Sequence, residues 1–161
     1  DIVASTTDLS QIKTESVDAV FSSHNIEHIY PHEVPVALSE YLRILKNNGI
    51  FVVTCPDLQS VCALIAQDKL TDKAYNSPAG PILPLDILYG HIASVAAGNI
   101  FMAHKGGFTR KSLSEALFRA GFRTVVAKRR EYPKYDIWAL ATKGRVDREY
   151  ASELAKKHFP T

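Results

Sequence analysis

Between Ser22 and His28 the chain places two serines, two histidines, an asparagine and a glutamate in seven residues, Ser22-Ser23-His24-Asn25-Ile26-Glu27-His28. Imidazole exchanges protons near neutrality, so His24 and His28 are candidate general bases. Glu27 is placed to orient either ring. The blander reading is a polar loop at a strand end, with Glu27 bonded to backbone and His28 packed under a helix. A second group, Tyr89-Gly90-His91, is followed by His104-Lys105-Gly106-Gly107-Phe108. Its glycines permit tight turns and close backbone approach. A glycine pair ahead of a helix could also cradle an anion, but a structural turn is the simpler expectation.

His24-Asn25-Ile26-Glu27-His28 also matches the H-x-x-E-H pattern of inverted zinc peptidases. That chemistry needs both histidines on one helical face, one turn apart, with a third ligand from elsewhere. Pro31 and Pro35 leave little room for such a helix, and His32 follows the first proline. No metal site is therefore expected from this pattern.

The elements around these residues predict how they are held. Val17 to Ser22 is apolar except at Asp18 and its last residue, as in a parallel strand covered on both faces. Ile50 to Thr54 reads the same way. Val34, Leu38, Tyr41, Leu42 and Leu45 recur at helical spacing over 34–46, with Pro35 in the first turn and Asn47-Asn48-Gly49 as the stop. Strand, helix and strand at these lengths imply a right-handed βαβ unit. Asp57 is placed to cap a helix carrying Leu58, Val61, Cys62 and Ile65. Residues 71–84 read as loop. One helix is expected over Leu85, Leu88, Ile92 and Val95, ending at Gly98-Asn99. Another runs from the Thr109 cap to Gly121. Strands at roughly 122–130 and 135–142 are joined through Tyr132-Pro133-Lys134, a link that permits only an antiparallel hairpin. A last helix spans Asp147 to His158, with Val146, Tyr150 and Leu154 on one side. Asp1 to Ala4 reads as a short strand.

The whole 1–161 is expected to be one domain, since 46% hydrophobic and 22% charged residues argue against disorder. Net charge is +2, and the basic run Lys128-Arg129-Arg130 reads as a solvated strand edge, so no nucleic-acid partner is expected. Cys55 and Cys62 make neither a disulfide framework nor a zinc pattern. With no apolar run long enough to span a membrane and no signal peptide, a cytoplasmic location is expected.

The order of these pieces resembles the class I, Rossmann-like methyltransferases that use S-adenosylmethionine. More narrowly, it is similar to a group of small predicted methyltransferases. The residues that carry the resemblance are Asp8-Leu9, Ser16-Val17-Asp18-Ala19-Val20-Phe21, Ser22 to His28, Glu40 to Gly49, and Pro56-Asp57. Leu88 to His91, His104 to Thr109 and Ala120-Gly121-Phe122 follow. The resemblance covers roughly 1–127. It implies an α/β fold, a mostly parallel sheet with helices on both faces and a terminal antiparallel hairpin. By position it puts Asp8 and Leu9 near the adenine, Ser22, Ser23 and His24 near the methionine part of the cofactor, and Tyr89, His91, His104 and Phe108 on the substrate side. His24, Glu27 and His28 become the catalytic candidates. The acceptor, small molecule or macromolecule, is not named by these residues, and a homodimer is allowed. Two features of the group differ: Asn47-Asn48-Gly49 stands where Pro-Gly-Gly is usual, and these residues contain neither the glycine-rich loop nor the acidic residue that holds the ribose. The chain therefore reads as truncated at its amino-terminal side, with two strands missing from the sheet. That departure motivates a rival expectation, a degenerate fold serving as a binding or scaffold module.

Overall fold

The computed structural model of the chain describes residues 2–131 and 135–160. A strand β1 (Val17–Ser23), a helix α1 (Val34–Ile44) and a strand β2 (Leu45–Pro56) form the expected unit, with β1 and β2 parallel neighbours. Helix α2 (Leu58–Ile65) follows, then a small hairpin of β3 (Tyr75–Ser77) and β4 (Gly80–Ile82), and short helices α3 (Pro84–Tyr89) and α4 (Ile92–Ala96). Helix α5 (Arg110–Ala120), strands β5 (Thr124–Arg129) and β6 (Asp136–Thr142), and helix α6 (Arg148–His158) complete the chain. The main sheet has the order β1-β2-β6-β5. β6 is antiparallel to both neighbours, so β1, β2 and β5 point one way and β6 alone points back. The link 132–134 lies outside the described residues.

Alternation along the strands sorts side chains to the two faces. Phe51, Val53 and Cys55 of β2 and Ile137, Ala139 and Ala141 of β6 join Leu38 and Tyr41 of α1 and Leu113 and Leu117 of α5 in the larger core. Val52 and Leu140, one residue out of phase, pack with Ala155 and Phe159 on the opposite face. Helices thus cover both faces of the sheet.

Several local expectations are corrected. Ile2 to Ala4 form no strand, because no described strand pairs with them. β1 is not covered on both faces: it is the sheet's edge, with Phe21 63% exposed. Helix α1 ends at Ile44, and residues 46–49 are looped out where the register jumps from Val17–Leu45 to Ala19–Ile50. Asn47-Asn48-Gly49 still acts as punctuation, but within the entry to β2. The helix expected over 85–95 is two, broken at Gly90. There φ is +95°, and a β-carbon would stand 1.9 Å from the Met102 carbonyl oxygen. The Asp86 carboxylate holds both pieces, accepting from Leu83 N–H and Ile92 N–H at 3.0 Å each. In α6 the buried residues are Ala151 and Ala155, while Tyr150 faces solvent, since small residues let the helix lie close on the sheet.

Candidate active site

β1 delivers its last residues to the carboxyl-terminal edge of the sheet, the edge where open α/β sheets bind ligands. Ser22 is buried and Ser23 exposed. His24 turns the chain with φ +46°, a left-handed conformation that is costly for a residue with a β-carbon and that clusters at functional sites. The His24 N–H donates to the Thr54 carbonyl of β2 at 3.0 Å, which anchors the turn to the next strand. Ile26–His28 then form a single 3-10 turn. The helix required by the peptidase pattern is not made, as the prolines predicted.

That turn fixes three side chains in different surroundings. His24 is half-exposed, with Nδ1 3.3 Å from Glu27 Oε1 and Nε2 3.9 Å from Asp136 Oδ1. The Glu27 carboxylate beside it, reinforced by Asp136, raises the His24 pKa above its ordinary value against the opposing effect of burial. Burial in turn raises the Asp136 carboxyl. Glu27 is 1% exposed. His28 is half-buried, and its Nδ1 lies 3.1 Å from the Ala103 carbonyl.

The segment 104–108 is stitched onto this turn. Lys105 and Gly106 N–H groups donate to the Glu27 carbonyl at 2.8 and 3.1 Å, and His104 N–H donates to the Tyr89 carbonyl at 3.0 Å. His104 meets His28 edge to face, ring centroids 4.8 Å apart. Gly107 packs against Leu58, whose side chain would have to shift for a β-carbon, which would stand 2.6 Å from Leu58 Cδ1. His91 is half-buried and bonded to Ser94 Oγ at 2.7 Å, Tyr89 is exposed, and Phe108 is half-buried.

Asp8 and Leu9 occupy a different place. Asp8 is exposed, and the Ser10 hydroxyl together with the Ser10 N–H, which donates to its carboxylate at 3.1 Å, lowers its pKa. Leu9 is tied to α1: its N–H donates to Glu40 Oε2 and its carbonyl accepts from Arg43 Nη2, both at 2.8 Å. The Glu40–Arg43 pair of the helix-end motif thus holds the 8–12 segment rather than a ligand. An apolar pocket of about 360 Å³ between α1 and α5, lined by Val34, Leu38, Phe108 and Ala116 among others, contains none of the histidines.

Among the described residues, seven buried polar atoms lack a hydrogen-bond partner, and five of them gather at the ends of β1 and β2: Ser22 Oγ, Asn25 Oδ1, both Glu27 oxygens and Thr54 Oγ1; the others are Arg130 Nε and Trp138 Nε1. Buried polar groups are ordinarily paired, so this concentration suits a polar ligand. Asp136 and Thr54 were not singled out from sequence. The signal for Asp136 was present, a lone acid opening the apolar run Ile137 to Ala141. Thr54 at the end of an apolar strand carried none.

This sheet order with one reversed strand, its covering helices and a polar site at the strand ends define the class I methyltransferase fold. The comparisons agree. A family model described as a methyltransferase domain matches residues 1–53. No curated protein matches the sequence. A SAM-dependent methyltransferase from Methanosarcina mazei superposes with a TM-score of 0.57 at 16% identity, over 90% of this chain and 67% of its own. A protein from Pyrococcus horikoshii gives 0.57 at 15% identity, over 88% and 57%. A Burkholderia thailandensis 1,6-didemethyltoxoflavin-N1-methyltransferase, solved with bound 1,6-didemethyltoxoflavin and S-adenosylhomocysteine, gives 0.55 at 17%, over 89% and 50%. The chain spans half to two thirds of the length of these three structures. No helix among the described residues is long and apolar enough to cross a membrane.

Proposed function

We propose that the chain is the core of an S-adenosylmethionine-dependent methyltransferase acting in the cytoplasm on an acceptor whose proton is removed by His24. The observation that carries this reading is the cluster of unpartnered buried polar atoms at the carboxyl ends of β1 and β2, in this fold. When bound, S-adenosylmethionine supplies an electrophilic methyl group on a sulfonium. Ser22 Oγ, Asn25 Oδ1 and Thr54 Oγ1 are the groups available to its methionine part; Asp8 and Leu9 remain the proposed adenine contacts. Methyl transfer needs mainly proximity and orientation from the protein. His24 takes the acceptor's proton, and Glu27 stabilises the imidazolium that results. Tyr89, His91 and Phe108 border the acceptor. A scaffold role gives no reason for a strained histidine paired with a buried carboxylate.

The few hydrogen bonds these residues offer contribute roughly 1–3 kcal/mol. The 161-residue chain by itself should therefore bind at millimolar concentrations or weaker. NMR titration with S-adenosylhomocysteine is the test. Amide shifts centred on Ser22 to His28 and Thr54 that grow through the millimolar range are expected; shifts centred elsewhere, or micromolar affinity, would overturn the reading.

A further inference from the structure

One oxygen of Glu27 faces His24, and the other faces no described donor. A buried carboxylate oxygen without a donor calls for a compensating cation. Two imidazoles stand beside it. Glu27, His28 and His104 each offer one ligand atom within 4.8 Å of the others. They come from separate segments, the 3-10 turn after β1 and the loop before α5, so the fold alone brings them together.

The two rings are already held as metal ligands are. His28 Nδ1 lies 3.1 Å from the Ala103 carbonyl and His104 Nδ1 lies 2.9 Å from the Ile87 carbonyl. A carbonyl oxygen only accepts, so each Nδ1 carries the proton, and the neutral ring's lone pair is on Nε2. A backbone carbonyl on the far nitrogen is the usual outer support of a metal-bound histidine, fixing both tautomer and ring orientation.

We propose that Glu27, His28 and His104 form a site for a divalent first-row transition-metal ion. Two imidazole nitrogens and one carboxylate oxygen suit zinc, cobalt, iron or manganese better than the all-oxygen preference of magnesium or calcium. Ligand atoms about 2.0–2.2 Å from a tetrahedral ion are roughly 3.4 Å apart. Binding therefore draws these side chains inward by about an ångström. Three protein ligands leave coordination positions open. The ion's role, though not its binding, rests on the methyltransferase reading: it would hold the acceptor oxygen and ease loss of its proton to His24. The H-x-x-E-H pattern thus contributes Glu27 and His28, without the peptidase helix, and takes its second histidine from 104.

The test is calorimetric titration of the 161-residue chain with zinc, and with cobalt followed by visible absorption, in the absence of cofactor and acceptor. One equivalent should bind. His28→Ala, His104→Ala and Glu27→Gln should each weaken binding by at least about 100-fold, beyond the roughly 10–100-fold of an outer-shell change. His32→Ala, which removes an exposed imidazole outside the cluster, should leave affinity within about twofold, showing that the loss is not a general effect of removing histidine. Unchanged far-ultraviolet circular dichroism in each variant separates ligand loss from misfolding. Failure to bind one equivalent, or binding unaffected by His104→Ala, would overturn the site. Cofactor binding is read separately by the NMR titration above, so either reading can fail alone.

Discussion

Glu27 and Asp57 are two buried carboxylates at the carboxyl ends of neighbouring parallel strands, and they are treated in opposite ways. Asp57, with no exposed surface, caps α2 by accepting from Gln59 N–H at 3.2 Å. It also accepts from Ser60 Oγ at 2.6 Å and is ion-paired with Arg129, whose Nε lies 2.5 Å away. Glu27 is as deeply buried and has no hydrogen-bond partner for either oxygen. The Asp57 group stabilises the fold that presents Glu27, while Glu27 keeps its capacity for a ligand. Unused hydrogen-bonding capacity, rather than burial or charge, separates these two acids.

The largest expected effect follows from Asp57. Replacing it with alanine removes a cap and leaves Arg129 without its buried partner. Arg129 is 41% exposed, so water recovers part of the loss, and about 2–3 kcal/mol of stability should go. Urea unfolding measures it. By contrast, Glu27→Leu above the His24 midpoint should change stability by less than about 1 kcal/mol, because the relief of burying an acid offsets loss of its contact with the His24 ring. Equal destabilisation by both substitutions would break the comparison.

A smaller effect concerns protonation. Glu27 raises the His24 pKa, so the base form that accepts a proton should appear only as pH climbs past the ordinary value near 6.5. Glu27→Gln should move the His24 midpoint down toward that value, as followed by its ring NMR signals. The linkage has a definite sign. A raised folded pKa adds stability that is fully present below the unfolded value and lost as pH rises through the folded one. That contribution should vanish in Glu27→Gln. No movement of the midpoint would remove Glu27 as the cause.

The smallest effects sharpen the comparison on two serines. Ser60→Ala removes a hydrogen bond to Asp57 and should cost about 1 kcal/mol. Ser22→Ala removes a hydroxyl that lies beside Tyr41 but makes no well-formed hydrogen bond, and it should change stability by less than about 0.5 kcal/mol while weakening the S-adenosylhomocysteine shifts at its neighbours. A Ser22 variant as unstable as the Ser60 variant would show that Ser22 is structural.

Much of this protein was determined locally. The β1–α1–β2 unit, the Asp57 and Thr109 caps, the Gly121 stop and the antiparallel β5–β6 pair each follow from short-range rules, because periodicity, capping chemistry and loop length act over a few residues. The cluster from Ser22 to His28 was legible for the same reason, as reactive side chains at a strand end. Tertiary structure decided the rest. VDAVF and IFVVT look alike as apolar runs, yet one is an exposed edge and the other the sheet's interior, since burial depends on which strand lies alongside. Gly90 divides a helical pattern because the backbone near Met102 fills the space a side chain would need. The pairing of His28 with His104, and of His24 with Asp136, joins residues 76 and 112 positions apart. No local rule encodes such meetings; they exist only once the sheet and its loops have closed around them.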